Sequence, residues 1–187
     1  MTLPDLQPMT MMDDRLRQIP IDRDRFELAM ETWRRELERA RTSGDRRRLR
    51  TVLANLGSGY RILGDFERAD TCLIEARRLA SADGSTVATI AADIRLAELD
   101  RCHNRYAEAE QRLRSVIDRI EVSESDQFLD FALQHLGKVL IDSGQFDDAQ
   151  QTLERSLLLR KAIQDPELIA STLQALDHLS VRQLAAQ

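Results

Sequence analysis

Three histidines (His103, His135 and His178), two cysteines (Cys72 and Cys102) and the run Gly57-Ser58-Gly59 are the residues of this 187-residue chain best suited to metal binding or nucleophilic chemistry. Zinc would need Cys and His at ligand spacing, and a catalytic serine or cysteine would need a base beside it. The cysteines stand 30 residues apart with no C-x-x-C pair, so neither a disulfide framework nor a zinc site is indicated. The histidines fall on three different predicted helices, none with a carboxylate or Cys partner at a recurring ligand spacing. H-E-x-x-H, Walker A and G-x-S-x-G motifs are all missing, which removes the commonest hydrolytic and nucleotide chemistries. Gly57-Ser58-Gly59 sits inside a predicted helix, where small residues serve close helix packing. The expectation is a non-enzyme with no catalytic residues, no metal and no cofactor.

Two carboxylates break the pattern. Asp93 and Asp100 lie seven residues apart on one helical face, with His103 three further on, at positions where the neighbouring repeats carry Leu and Tyr. An unpaired buried carboxylate is costly. They are therefore neutralised, with Arg105 or Arg112 the nearest candidates, or exposed to water, or form a polar ligand or metal contact.

The elements that would position these groups repeat at a fixed interval. Gly64-Asp65-Phe66-Glu67-Arg68-Ala69 recurs as Asn104-Arg105-Tyr106-Ala107-Glu108-Ala109 and as Gly144-Gln145-Phe146-Asp147-Asp148-Ala149, 40 residues apart each time. The same step back reaches Phe26 and Ala29, and the next apolar position aligns Trp33, Leu73, Leu113 and Leu153. Upstream, Leu53, Leu56, Gly57 and Tyr60, and again Leu133, Leu136, Gly137 and Leu140, form single helical faces through spacings of three and four.

These residues resemble the tetratricopeptide signature W-x2-L-G-x2-Y, A-x3-F, and the long repeat is similar to those of Leu-Gly-Asn spindle adaptors, kinesin light chains and the repeat tails of bacterial regulators. The resemblance implies an all-α, right-handed superhelical solenoid of antiparallel helix pairs. Helices are expected near 23–41, 46–63, 66–80, 86–103, 106–121, 126–143, 146–163 and 167–185, as a single repeat domain over 22–187. Asp24-x-x-Glu27 reads as a capping box for the first helix, Ser123-Glu124-Ser125 as a separator, and Asp165-Pro166 as an N-cap followed by proline at the first helical position. Residues 1–21 form an arm that is either flexible or a short partial helix around Met11 to Gln18. It either covers Trp33 or leaves it as an oligomer contact.

In that family the first helix of each pair, the A helix, lines a concave groove that binds a peptide or partner protein. Carried over by register, the lining is Asn55, Ser58 and Arg61 in one copy and Ile94, Arg95, Glu98 and Arg101 in the next. Phe131, Gln134, His135 and Lys138 follow, then Gln174, His178 and Arg182. Of the chaperone-binding carboxylate clamp only Asn55 matches, and Arg95 and His135 occupy the next equivalent places. Amides and cations suit an acidic or amide-rich peptide. A homodimer through the terminal helices and a peptide-sensing regulatory domain are the alternatives.

With 42% hydrophobic and 32% charged residues the chain has the composition of a folded domain. A net charge of −5 offers no basic surface for nucleic acid or an anionic membrane. Residues 1–80 carry 16 Arg and Lys against 14 acids, and residues 81–187 carry 11 against 18, an asymmetry that solvated faces account for. No run approaches 18 apolar residues and no leader pattern opens the chain, so a cytoplasmic location is expected.

Overall fold

The computed structural model describes residues 3–123 and 126–186. Glu124 and Ser125 of the expected separator, and Met1 and Thr2 of the arm, lie outside them. Among the described residues there are eight α-helices: α1 (Arg23–Ser43), α2 (Arg46–Leu63), α3 (Phe66–Ala82), α4 (Thr86–Cys102), α5 (Tyr106–Glu121), α6 (Leu129–Asp142), α7 (Phe146–Ile163) and α8 (Pro166–Ala185). The chain divides into two compact units, Met1–His103 and Asn104–Gln187, where the sequence suggests one repeat domain. The fold is all-α and of tetratricopeptide-like helix pairs.

Helix boundaries follow from local chemistry. Asp45, Asp65 and Ser85 accept a hydrogen bond from the backbone N–H three residues on, which satisfies one of the free donors of α2, α3 and α4. Asp165 does the same for α8 from two amides, with Pro166 at the first turn. The expected capping box at Asp24 is corrected: Asp22, in extended conformation, accepts from the Arg25 N–H, and Glu27 instead pairs with Arg23 at 3.1 Å. Helix α6 opens at Leu129 rather than 126 because Phe128 takes a left-handed conformation (φ 71°) that a helix cannot incorporate. The turn inside each pair needs a left-handed residue at one register position, filled by Gly64, Asn104 and Gly144 (φ 81°, 61° and 80°). Glycine and asparagine tolerate it best.

In the first unit the core gathers Phe26, Met30 and Trp33 of α1 with Leu53, Leu56 and Tyr60 of α2 and Leu73, Ala76 and Leu79 of α3. In the second, Leu113, Leu136, Leu140, Ala149 and Leu153 are buried. Helices α2 and α3 approach so closely that a Cβ on Gly57 would stand 2.6 Å from Leu73 Cγ, and one on Gly137 of α6 would stand 2.5 Å from Leu153 Cγ of α7. The Gly57-Ser58-Gly59 run is thus a packing feature. Asp93 meets Arg77 of α3 at 2.5 Å, a partner the sequence reading does not name, and Asp100 is buried and also partnered.

The arm holds a short 3-10 turn at Gln7–Met9 but no helix around Met11 to Gln18. Met11 to Gln18 spans a hairpin in which β1 (Thr10–Met12) pairs antiparallel with β2 (Gln18–Pro20), Met11 opposite Ile19. The Asp13 carboxylate organises the turn by accepting from the Arg15 N–H (2.9 Å) and the Arg17 N–H (2.7 Å), so local side-chain bonding competes with helix formation. Leu6 enters the core, and Trp33 Nε1 donates to the Pro4 carbonyl at 3.0 Å. Trp33 is therefore covered from within the chain.

Gly57→Ala is expected to destabilise the protein. Overpacking against Leu73 costs about 1–3 kcal/mol, which exceeds the about 0.5–1 kcal/mol gained in helix propensity. Urea unfolding of the variant beside wild type measures the difference, and an unchanged midpoint would contradict the close crossing.

Candidate functional site

In the first unit the expected groove residues sit on α2 and α4, and the structure brings four of them together with the arm. Arg101, 1% exposed, is held at the base of this cluster. Its Nε and Nη2 donate to the two carboxylate oxygens of Glu98, each at 3.1 Å, one turn back on α4. Its Nη2 also donates to the Leu16 carbonyl at 2.8 Å and its Nη1 to the Arg15 carbonyl at 3.2 Å. Arg61 of α2 donates from Nη2 to Gln18 Oε1 at 2.7 Å, and its Nη1 lies 3.8 Å from both Glu98 Oε1 and Cys102 Sγ. Arg95 donates to its own helix at the Ala91 carbonyl (3.0 Å). Burial, with the neighbouring Arg61 charge, pulls its guanidinium below the ordinary arginine value. A forked guanidinium suits consecutive carbonyl acceptors, and the Glu98 carboxylate offsets the cost of burying it.

The other residues of that set are more ordinary. Ile94 is buried, Ser58 is half-buried, and half-buried Asn55 donates from Nδ2 to the Thr51 carbonyl at 2.9 Å, a bond within α2.

In the second unit the set lies on α6 and α8. Gln134 is 4% exposed and donates from Nε2 to the Ser171 carbonyl at 3.2 Å, which ties α6 to α8. Lys138 is buried, His135, His178 and Arg182 are half-buried, and Phe131 and Gln174 are open to solvent. The Phe131 ring lies under the Arg160 guanidinium at 5.2 Å and meets Phe128 edge-on at 6.2 Å, a cation–π contact on an exposed apolar surface. Arg160 of α7, 2% exposed, donates to Asp130 Oδ2, the Leu168 carbonyl and Thr172 Oγ1, each at 3.0 Å. Burial draws its guanidinium below the ordinary value, and Asp130 opposes that shift. Among the described residues no three His, Cys, Asp or Glu side chains converge as metal ligands, and no helix is long and apolar enough to cross a membrane.

Residues 132–167 match the family model of the tetratricopeptide repeat. BtubC (BKLC) from P. vanneervenii superposes with a TM-score of 0.63 at 21% identity, over 75% of this chain and 59% of that one. The chain therefore spans about three fifths of that relative's length. The nearly identical TPR-like repeats of a Podosopora anserina protein, described as a kinesin light chain, superpose with a TM-score of 0.60 at 15% identity, over 88% of this chain and 90% of that one. Residues 132–167 thus match a tetratricopeptide repeat, and the fold of the chain is tetratricopeptide-like. No curated protein matches it in sequence.

The matched segment holds Arg160, while its partners Asp130, Leu168 and Thr172 lie just outside it; sequence reasoning missed this network. The signal was present: Ala40, Ala80 and Ile120 occupy the same register as Arg160 and all are buried, as is Ile90 at the register of Asp130. A charge at both positions of one copy marks a buried pair. Removing one partner of such a pair costs about 3–5 kcal/mol. Asp130→Asn is thus expected to lower the urea midpoint sharply, and Asp130→Leu/Arg160→Met to recover part of the loss. Equal losses in the single and double variants would rule out the ion pair as the cause.

Proposed function

We propose that the chain is a non-catalytic interaction module whose A helices hold a peptide or a segment of a partner protein. Tetratricopeptide-like repeats are, as a class, protein-interaction scaffolds, and a chain with this fold inherits that general role. The observation that carries the specific reading is Arg101: a helix-borne guanidinium already grips two successive main-chain carbonyls of a hairpin turn. Charge-assisted bonds of this kind hold peptide backbones and carboxylates alike, so an acidic or amide-rich segment is the fitting ligand. Asn55, Ser58 and Ile94, with Arg61, Arg95, Glu98 and Arg101, supply this face in the first unit. Phe131, Gln134, His135, Lys138, Gln174, His178 and Arg182 supply it in the second.

Phe131 and Gln174 are the places to test it, because both are solvent-exposed and substitution there spares the core. Phe131→Ala/Gln174→Glu is expected to keep the helical circular-dichroism signal and to weaken capture of the native partner about tenfold, equivalent to about 1.4 kcal/mol. Undiminished capture by the folded variant would remove the second unit from the binding surface.

Self-association is the second reading, and α8 favours it. Leu173, Val181 and Leu184 are 45%, 63% and 72% exposed, and Asp177 stands where the other A helices carry Gly57, Ala97 and Gly137, so this helix presents an apolar surface without the small residue that admits a packed B helix. Trp33, covered by the arm, does not serve as the contact. If α8 mediates a dimer, Val181→Glu/Leu184→Glu shifts light scattering from dimer to monomer mass; monomer mass for the unsubstituted chain removes this reading.

A further inference from the structure

The segment gripped by Arg101 belongs to the chain itself, and its docking has the form of a bound ligand. Its turn reaches α4 through two carbonyls, its Gln18 amide reaches Arg61, and Leu16 is buried (7% exposed). Leu16 is also strained. Its φ of 55° places a branched side chain in the left-handed region, which costs free energy unless the surroundings hold it. The Asp13 carboxylate and the Leu16 N–H bond to the Asp13 carbonyl (3.1 Å) hold the turn closed. Arg17 of the same turn has Nε and Nη2 buried without an acceptor, so the fit is imperfect. At this end the arm meets the helices through the Arg101 and Arg61 hydrogen bonds and buries Leu16, and it is anchored separately at Leu6 and Pro4. That division lets the turn leave while the anchor stays.

We propose that the Arg61–Glu98–Arg101 face is a recognition site for a peptide in a tight turn, presenting two successive carbonyls, an apolar side chain and a following amide, and that residues 10–20 occupy it as an internal competitor. The proposal rests on the interaction-module reading and adds its regulation: an external segment binds only by displacing the arm. Because the arm is tethered, its effective concentration is on the order of millimolar for a short connection, so external peptides compete at a disadvantage until the turn is weakened.

The test uses the full chain and a fluorescein-labelled synthetic peptide of its own residues 9–20. In Asp13→Ala/Leu16→Ser the turn loses its organising carboxylate and its apolar anchor, while the helices are unaltered. The expected result is a retained helical circular-dichroism signal and binding of the peptide at least tenfold tighter than by wild type. Addition of Arg101→Met should abolish that binding. Cys102, buried beside Arg61, gives an independent readout. In a Cys72→Ser background its alkylation should speed up in the arm variant and slow again on saturation with peptide. A folded arm variant that gains no affinity for the peptide, or one that loses its helical signal, would show that the arm is a fixed part of the core and overturn the proposal. Partner capture through Phe131 and Gln174 involves none of these groups, so either reading can fail without the other.

Discussion

One close helix crossing in each unit sets the geometry on which everything else depends. Where Gly57 meets Leu73 and Gly137 meets Leu153, the absence of a Cβ lets two helices approach until the leucine fills the space over the backbone. Ala97 holds the corresponding place in α4 and is fully buried. Interiors packed at this density leave little room for rotation, so the crossing fixes which side of α2 and of α6 turns inward. The functional candidates lie along α2 and α6 and, at the same 40-residue register, along α4 and α8.

A repeat whose core positions are interchangeable can absorb charges only where a partner appears with them. Asp93 with Arg77 and Asp130 with Arg160 are two such substitutions, each removing apolar burial and replacing it with a pair that contributes little net stability but is costly to break singly. Arg101 with Glu98 is different, because part of the guanidinium's hydrogen bonding is directed outside the helices to main-chain carbonyls. This feature is what the proposed binding face rests on.

The arm joins both themes. Its first residues complete the hydrophobic core at Leu6 and satisfy the indole of Trp33. Its turn then lies on the charged residues of α2 and α4, where a strained Leu16 is held by hydrogen bonds. One short segment therefore serves as both cap and occupant.

Helix number, register and the main apolar contacts were legible in the sequence, since they follow from a period of 40, a spacing of three and four, and the conformational preferences of Gly, Asn, Asp and Pro. These are local rules, and each residue carries its own part of the signal. The sequence also marked Asp93 and Asp100 as misfits and placed Arg61, Arg95, Glu98 and Arg101 on one candidate surface. Which of these charges meet, and what they meet, was decided by tertiary structure. The hairpin at residues 10–20 contradicts the short helix suggested for it, because Asp13 bonds the amides of its own turn and no repeat constrains that segment. The bond from Arg101 to Leu16 joins residues 85 apart, and nothing in the composition of either neighbourhood announces it. Periodicity reports which face a residue occupies, whereas pairing across the chain depends on where non-repeating segments come to rest.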